Sequence, residues 1–110
     1  RIIDMGIFDI FKQKDINHGV EEYSTISDAV LLDVRTEQEY KEGHIPESKN
    51  VPLQKIDKVA SVVKTKETPI YTYCYSGSRS GQAANMLKKM GYVNVTNIGG
   101  IAAYSGKVER

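Results

Sequence analysis

Short β-forming runs alternate with helical segments along this chain, and that alternation limits the folds open to it. Residues 30–34 (VLLDV) are a compact apolar run with a polar end, which predicts a buried strand. Residues 69–73 (PIYTY) are rich in β-formers and predict a second strand. Residues 50–51 and 93–96 predict two shorter ones. Strands separated by helices favour an α/β domain with a largely parallel sheet.

The intervening segments have the spacing of short surface helices. Residues 17–24 predict one helix, and Thr36 followed by Glu39 has the spacing of a capping box, which predicts a helical turn there. Amphipathic helices are predicted over residues 53–64 and 80–90. The apolar face of the first of these two helices is expected to hold Leu53, Ile56, Val59, Ala60 and Val63.

Composition and charge are those of an ordinary globular protein. The chain has 110 residues and a net charge of +1, which suits one domain and gives no reason to expect nucleic acid or a membrane as partner. No stretch reaches the roughly 18–20 apolar residues of a membrane span. We expect one domain over residues 17–110, after an N-terminal lead-in at residues 1–16 that is in part foreign to the natural protein if that protein starts at Met5. A cytoplasmic location is the expectation; a signal peptide removed before Arg1 is left open.

Cys74 is the single cysteine of the chain, so an internal disulfide and a cysteine-based structural zinc site are both excluded. Lone cysteines are more often inert buried residues than nucleophiles, and a cysteine before an ordinary Ser/Gly loop is the simplest interpretation. Here, however, Cys74 directly follows the predicted strand at residues 69–73. Open α/β sheets carry their reactive groups at the carboxyl ends of their strands, so this position favours a reactive thiol.

The segment CYSGSRS, residues 74–80, joins that strand to the next predicted helix. Gly77 permits a turn that a side chain would block, so backbone N–H groups can point at the sulfur. The positive end of the following helix and the guanidinium of Arg79 add to the same field. Hydroxyl donors in the segment, one of which is expected to cap the helix, are Ser76, Ser78 and Ser80. Each feature favours the thiolate, so we expect a lowered pKa for Cys74.

Four motifs occur in order along the chain: LLDVR at 31–35, GHIP at 43–46, CYSGSRS at 74–80 and GGI at 99–101. Together they resemble the rhodanese homology domain, from about residue 17 to residue 105. The resemblance implies a rhodanese-like α/β fold, with a mostly parallel sheet of about five strands and helices on both faces. It also implies a sulfurtransferase that needs neither a metal nor an organic cofactor.

The resemblance also implies roles for particular residues. The cysteine of the family takes a sulfane sulfur from a donor such as thiosulfate and passes it, as a persulfide, to cyanide or a thiol, which assigns that role to Cys74. The sequence contains no second cysteine to attack the persulfide, so the acceptor is an external small molecule or a protein partner. The cradle for the transferred sulfur would be Tyr75, Ser76, Gly77, Ser78 and Arg79.

Supporting residues are expected on both sides of this loop. Asp33 and Arg35 flank Val34 at a strand end, so both can point to one side and form an ion pair that shapes the crevice; contact of Arg35 with the donor anion is the alternative. His44 is expected to be a hydrogen-bonded structural residue. Tyr73 is expected in the core and Tyr75 at the mouth of the site. Where the family often has Gly-Ala after the GHIP motif, this chain has Glu47 and Ser48, and we expect only a local surface change there.

Three other functions stay open. The first is a relay module that delivers its persulfide to a protein partner, favoured by Ser78 because that position is often basic in the family and thiosulfate is a dianion. The second is a phosphatase or arsenate reductase of related fold; against it, four residues separate Cys74 from Arg79, a shorter loop than those enzymes have. The third is a silent scaffold in which Cys74 is unreactive.

Overall fold

Four parallel strands form one sheet in the computed structural model, which describes residues 15–110. The strands are β1 (Val30–Asp33), β2 (Lys49–Asn50), β3 (Ile70–Cys74) and β4 (Val95–Gly100). They lie in the order β2-β1-β3-β4, and each neighbouring pair is parallel. Parallel neighbours require a crossover between strands, which the helical segments provide. The predicted lead-in lies outside the described residues as far as residue 14.

The α/β architecture with a parallel sheet is confirmed, while the described residues hold four strands where the resemblance implied about five. The four strands correspond to the four runs that the sequence pattern predicts one by one. The segment that leads into β1, residues 25–29, is a turn in which Ala29 N–H donates to the carbonyl of Ile26 at 3.2 Å. The carboxyl end of β3, a central strand, is therefore flanked by β1 and β4.

The helices begin where capping side chains are available. α1 (Ile16–Ser24) begins after Asp15, whose carboxylate accepts from Asn17 N–H. α2 (Glu37–Glu42) has the predicted capping box, with Thr36 and Glu39 each accepting a backbone N–H of the other. α3 spans Ser78–Lys89. No helix within residues 15–110 has the length and apolar character required to span a membrane.

The helix predicted over residues 53–64 is wrong in type, because Leu53–Ser61 forms 3₁₀ helix with a kink at Lys55. Ile56 and Val59 are buried there, and their spacing of three residues is the repeat of a 3₁₀ helix. Ala60, expected on the apolar face, is exposed. The first helical turns thus follow the shorter repeat, which turns Ala60 away from the core.

Both faces of the sheet are covered, as the resemblance implied. Side chains alternate along β3, so that Ile70 and Cys74 belong to one core cluster while Tyr71 and Tyr73 belong to the other. The first cluster is completed by α3 and the 3₁₀ helix, and the second by α1. Cys74 therefore points toward α3, and the N-terminus of that helix lies beside it.

Ser48 is buried, so the expectation of a purely surface change at Glu47 and Ser48 is wrong. The hydroxyl of Tyr73 donates to Ser48 Oγ at 3.1 Å and accepts from Ile45 N–H at 3.1 Å, while Ser48 Oγ donates to the carbonyl of Ile45 at 2.7 Å. Serine can join this closed ring of hydrogen bonds because Tyr73 carries its hydroxyl into the core, as predicted for that residue. A buried hydroxyl needs such partners.

Candidate active site around Cys74

Cys74 is the last residue of β3, at the carboxyl end of the sheet, and its side chain is 1% exposed. Only Tyr75, Ser76 and Gly77 separate it from α3, which begins at Ser78. Ser78 and Arg79, predicted as loop residues, therefore lie in the first turn of a helix. The loop itself is short and forms a small cradle.

The expectation that a serine caps α3 is wrong, because the N-cap position is held by Gly77. Its φ of +107° is the left-handed conformation that glycine adopts without strain. The backbone N–H of Gly77 donates to Cys74 Sγ at 3.0 Å. Gly77 thus supplies both the turn and a donor to the sulfur.

Several donors converge on the sulfur of Cys74. Besides Gly77 N–H, the hydroxyl of Ser80 lies 3.4 Å from Sγ, and the backbone N–H groups of Ser76 and Ser80 also favour the thiolate. Burial raises the pKa of Cys74, but these hydrogen bonds together outweigh burial and bring the pKa below its ordinary value. The direction agrees with the prediction from sequence, and the principal donors are dipoles of the loop and helix.

Ser80 contacts a second residue that sequence reasoning missed, Asn97 of β4. Ser80 Oγ lies 2.7 Å from Asn97 Oδ1 and 3.4 Å from both the sulfur and the carbonyl of Gly99, so three acceptors share its single proton. Asn97 also donates to the carbonyl of Gly77 at 3.1 Å and accepts from Gly99 N–H at 3.1 Å. The pairing of β3 with β4 shifts register next to this residue. Asn97 therefore joins the loop, the helix and the strand beneath the sulfur.

Replacing Ser80 by alanine should raise the pH at which Cys74 becomes nucleophilic, because a hydroxyl that favours the thiolate is lost. Below that midpoint, alkylation by iodoacetamide should slow severalfold. The measurement is the alkylation rate as a function of pH, for the wild type, Ser80→Ala and Ser76→Ala. The last variant keeps the backbone N–H that faces the sulfur and should stay close to the wild type. Identical midpoints for the wild type and Ser80→Ala would show that the hydroxyl has no part in the activation.

Arg79 is paired with Glu39, a residue that the sequence indicated as part of a capping box but not as part of the site. Its two terminal nitrogens bond the two carboxylate oxygens of Glu39 at 2.7 and 3.0 Å. The bond to Arg79 is the main cause that lowers the pKa of Glu39 to about 2, so this carboxylate is charged at neutral pH. Bonding to Glu39 raises the pKa of Arg79, and the thiolate of Cys74, when it forms, raises that pKa further.

Asp33 and Arg35 form the expected ion pair, buried beside the end of β1. Arg35 Nη2 lies 2.7 Å from Asp33 Oδ2, and Nε lies 3.0 Å from Oδ1. The same Nη2 donates to the carbonyl of Gly43 at 2.7 Å, and the guanidinium carbon lies 5.8 Å from the ring centroid of Tyr73. Arg35 thus ties β1 to the end of α2, a contact that the sequence did not predict, and the expected role of the pair in shaping the crevice stays a prediction.

His44 is hydrogen-bonded, as the sequence predicted, whereas the expected place of Tyr75 at the mouth of the site stays a prediction. Nδ1 of His44 lies 2.8 Å from the carbonyl of Tyr40, and the two rings stack at 3.7 Å, so His44 is a hydrogen-bonded structural residue. Tyr75 is 56% exposed directly after Cys74. Its backbone is packed so closely against Gly100 that a Cβ on Gly100 would collide with it. The second glycine of the GGI motif therefore makes room for the cradle.

Comparison with known proteins identifies the family of this chain. The sequence model of one protein family, the rhodanese-like domain, matches residues 17–107. This chain belongs to the rhodanese-like family. Among the relatives of this rhodanese-like chain is the uncharacterized protein YqhL of Bacillus subtilis (strain 168), 37% identical over 82 residues that cover 74% of this chain and 64% of YqhL. Another is the thiosulfate sulfurtransferase PspE of Escherichia coli (strain K12), 37% identical over 71 residues, 64% of this chain and 68% of PspE.

The solved structures agree with the sequence relatives. A structure described as a rhodanese with anions from E. coli superposes with a TM-score of 0.70 and 31% identity, over 74% of this rhodanese-like chain and 98% of that one. The relatives of this chain thus include thiosulfate sulfurtransferases, and its one cysteine is buried at the end of β3.

Proposed function

We propose that this rhodanese-like domain is a sulfurtransferase that carries a sulfane sulfur on Cys74 as a persulfide. The observation that carries the proposal is the set of donors around Sγ, with Gly77 N–H at 3.0 Å and Ser80 Oγ at 3.4 Å. Donors fixed in place stabilise an anionic sulfur without reorganising during the reaction. The unit that we propose for this activity is residues 17–110.

In the first half-reaction the thiolate of Cys74 attacks the sulfane sulfur of the donor. A new S–S bond forms on Cys74, the S–S bond of the donor breaks, and its electron pair leaves with the remaining fragment. With thiosulfate that fragment is sulfite, so a thiolate and a dianion become a persulfide anion and another dianion. The hydrogen bonds that lower the pKa of Cys74 favour the thiolate that makes this attack.

In the second half-reaction an acceptor attacks the outer sulfur of the persulfide. Cyanide leaves as thiocyanate, or a thiolate leaves as a new persulfide, and the electron pair of the broken bond returns to Cys74. The sequence has no second cysteine, so the attacking group comes from outside the chain. Neither step requires a metal or an organic cofactor.

The residues after Cys74 would hold the outer sulfur through their backbone. Tyr75, Ser76 and Gly77 supply the turn, while Ser78 and Arg79 supply N–H groups from the first turn of α3. That turn has no acidic residue, so the positive end of the helix dipole is not neutralised within α3. A loop this short suits a sulfur atom better than a tetrahedral phosphate, which favours sulfur transfer over the phosphatase alternative.

Initial rates with thiosulfate and cyanide varied together test the proposal. Because sulfite leaves before cyanide reacts, a double displacement with parallel reciprocal plots is expected. Converging lines would contradict the persulfide route, since they mean that both substrates are bound before transfer. A lack of turnover with both thiosulfate and a persulfide donor would contradict the assignment as a whole.

A second candidate is a relay that hands the persulfide to one protein partner. The exposed ring of Tyr75 beside Cys74 favours it, because exposed aromatic residues are common anchors of protein contacts. The relay hypothesis is supported if turnover with free cyanide is slow although Cys74 gains sulfur rapidly from the donor. Fast turnover with cyanide would instead favour a small-molecule acceptor.

A further inference from the structure

Two ion pairs, Arg79 with Glu39 and Arg35 with Asp33, lie at the end of the sheet that carries Cys74. Glu39 neutralises Arg79 through two short hydrogen bonds, and Asp33 neutralises Arg35 in the same way. The pairs also act on each other, since the charge of Glu39 helps to raise the pKa of Arg35 and the charge of Asp33 helps to raise the pKa of Arg79. The charges of the two guanidiniums and the two carboxylates sum to zero. These four side chains therefore present dipoles and paired ions, with no net charge, to the sulfur donor.

Glu39 is held in place independently of Arg79. Its Oε1 accepts from Thr36 N–H at 2.9 Å and lies 3.1 Å from Thr36 Oγ1, as part of the capping box that begins α2. Arg79 is fixed by the first turn of α3. Two rigid helix ends therefore bring the ions together, and an incoming anion that recruits Arg79 must compete with a carboxylate that does not withdraw.

We propose that Glu39 sets the charge selectivity for the sulfur donor, favouring singly charged persulfides of thiols over dianionic thiosulfate. This inference rests on the proposed function. The N–H groups around Cys74 suit one negative charge, whereas the guanidinium of Arg79, which could balance the second charge of thiosulfate, is already bonded to Glu39. With a persulfide donor the thiolate of Cys74 takes the outer sulfur, the donor S–S bond breaks, and the donor leaves as a thiolate with the electron pair. Glu39 is a positioning residue, because it acts through Arg79.

The experiment compares the rates at which Cys74 gains sulfur from two donors, followed by intact mass. The donors are thiosulfate and the hydropersulfide of 2-mercaptoethanol, which carries at most one negative charge. The variants are Glu39→Gln and Glu37→Gln. Glutamine at position 39 keeps the oxygen that the capping box needs. Glu37 lies in the same helical turn but is exposed and bonds Lys55 at 3.3 Å, so its loss is a matched control for charge alone.

The wild type is expected to load faster from the hydropersulfide. Removal of the charge at position 39 should raise the thiosulfate rate constant about fivefold and the hydropersulfide rate constant about twofold or less, because a dianion feels a nearby charge twice as strongly. Glu37→Gln should keep the wild-type ratio. If the ratio of the thiosulfate to the hydropersulfide rate constant in Glu39→Gln equals that of the wild type, the inference about Glu39 is overturned. The loading of Cys74 would still support the proposed function. Loading of no variant by either donor would end both.

Ionic strength supplies a test that needs no variant. If Arg79 is neutralised, thiosulfate loading of the wild type should stay constant or rise with salt, since a thiolate and a dianion repel each other. A steep fall with salt would mean that an unpaired cation draws the dianion in. That result would overturn the selectivity role of Glu39.

Discussion

Cys74→Ser is expected to lower sulfur transfer from any donor by about 10³-fold or more. A hydroxyl is not ionised near neutral pH and forms no persulfide, so the variant loses the group that we propose to carry the sulfur. Thiocyanate release from thiosulfate and cyanide is the measurement. Turnover within about tenfold of the wild type would mean that sulfur moves without Cys74.

The fold of Cys74→Ser should survive, which makes the loss of activity interpretable. Serine is slightly smaller than cysteine, and its oxygen can accept the same Gly77 N–H. Burying a more polar group among Leu32, Ile70 and Ala83 should cost about 1–2 kcal/mol of unfolding free energy. Thermal unfolding with an unchanged far-ultraviolet spectrum would confirm that only the chemistry is lost.

Arg35→Met is expected to lower the free energy of unfolding by about 3–5 kcal/mol, the largest stability effect predicted for this chain. Asp33 is 0% exposed and Arg35 is 6% exposed, so the substitution leaves a carboxylate in the core without its counter-ion. The carbonyl of Gly43 also loses a donor. Urea unfolding of the two proteins gives the difference directly.

The double variant Asp33→Asn with Arg35→Met separates charge from packing. Because asparagine removes the buried charge, the double variant should recover a large part of the stability lost in Arg35→Met. A loss below about 1 kcal/mol in Arg35→Met would mean that the pair contributes no more than an exposed ion pair does. A double variant as unstable as the single one would mean that the methylene packing of Arg35 is what matters.

The sequence predicted the features that depend on neighbouring residues. The capping box of Thr36 and Glu39 is a matter of four consecutive residues, and the strands at residues 30–34 and 69–73 follow from local apolar runs. Cys74 could be placed at the carboxyl end of the sheet because the sequence predicts a strand directly before it and a helix after the loop that follows it. The ion pair of Asp33 and Arg35 could also be predicted, since the two residues lie on the same side of one strand end.

The remaining features depend on contacts between distant segments. Glu39 and Arg79 are 40 residues apart, and nothing in either local pattern shows that their side chains meet. Asn97 supports Ser80 only because β4 pairs with β3. The sequence did not distinguish the 3₁₀ helix at Leu53–Ser61 from an α-helix, because apolar positions three residues apart fit both kinds of helix. Such contacts are specified by tertiary packing, which a single sequence does not display.

The most direct test of the persulfide on Cys74 is the intact mass of the reduced protein after incubation with thiosulfate, and separately with the hydropersulfide of 2-mercaptoethanol. The wild type should gain the mass of one sulfur atom, lose it on addition of cyanide, and differ in both respects from Cys74→Ser, which should gain nothing. No gain in the wild type with either donor, or the same gain in Cys74→Ser, would contradict the proposal that this rhodanese-like domain carries sulfur on Cys74.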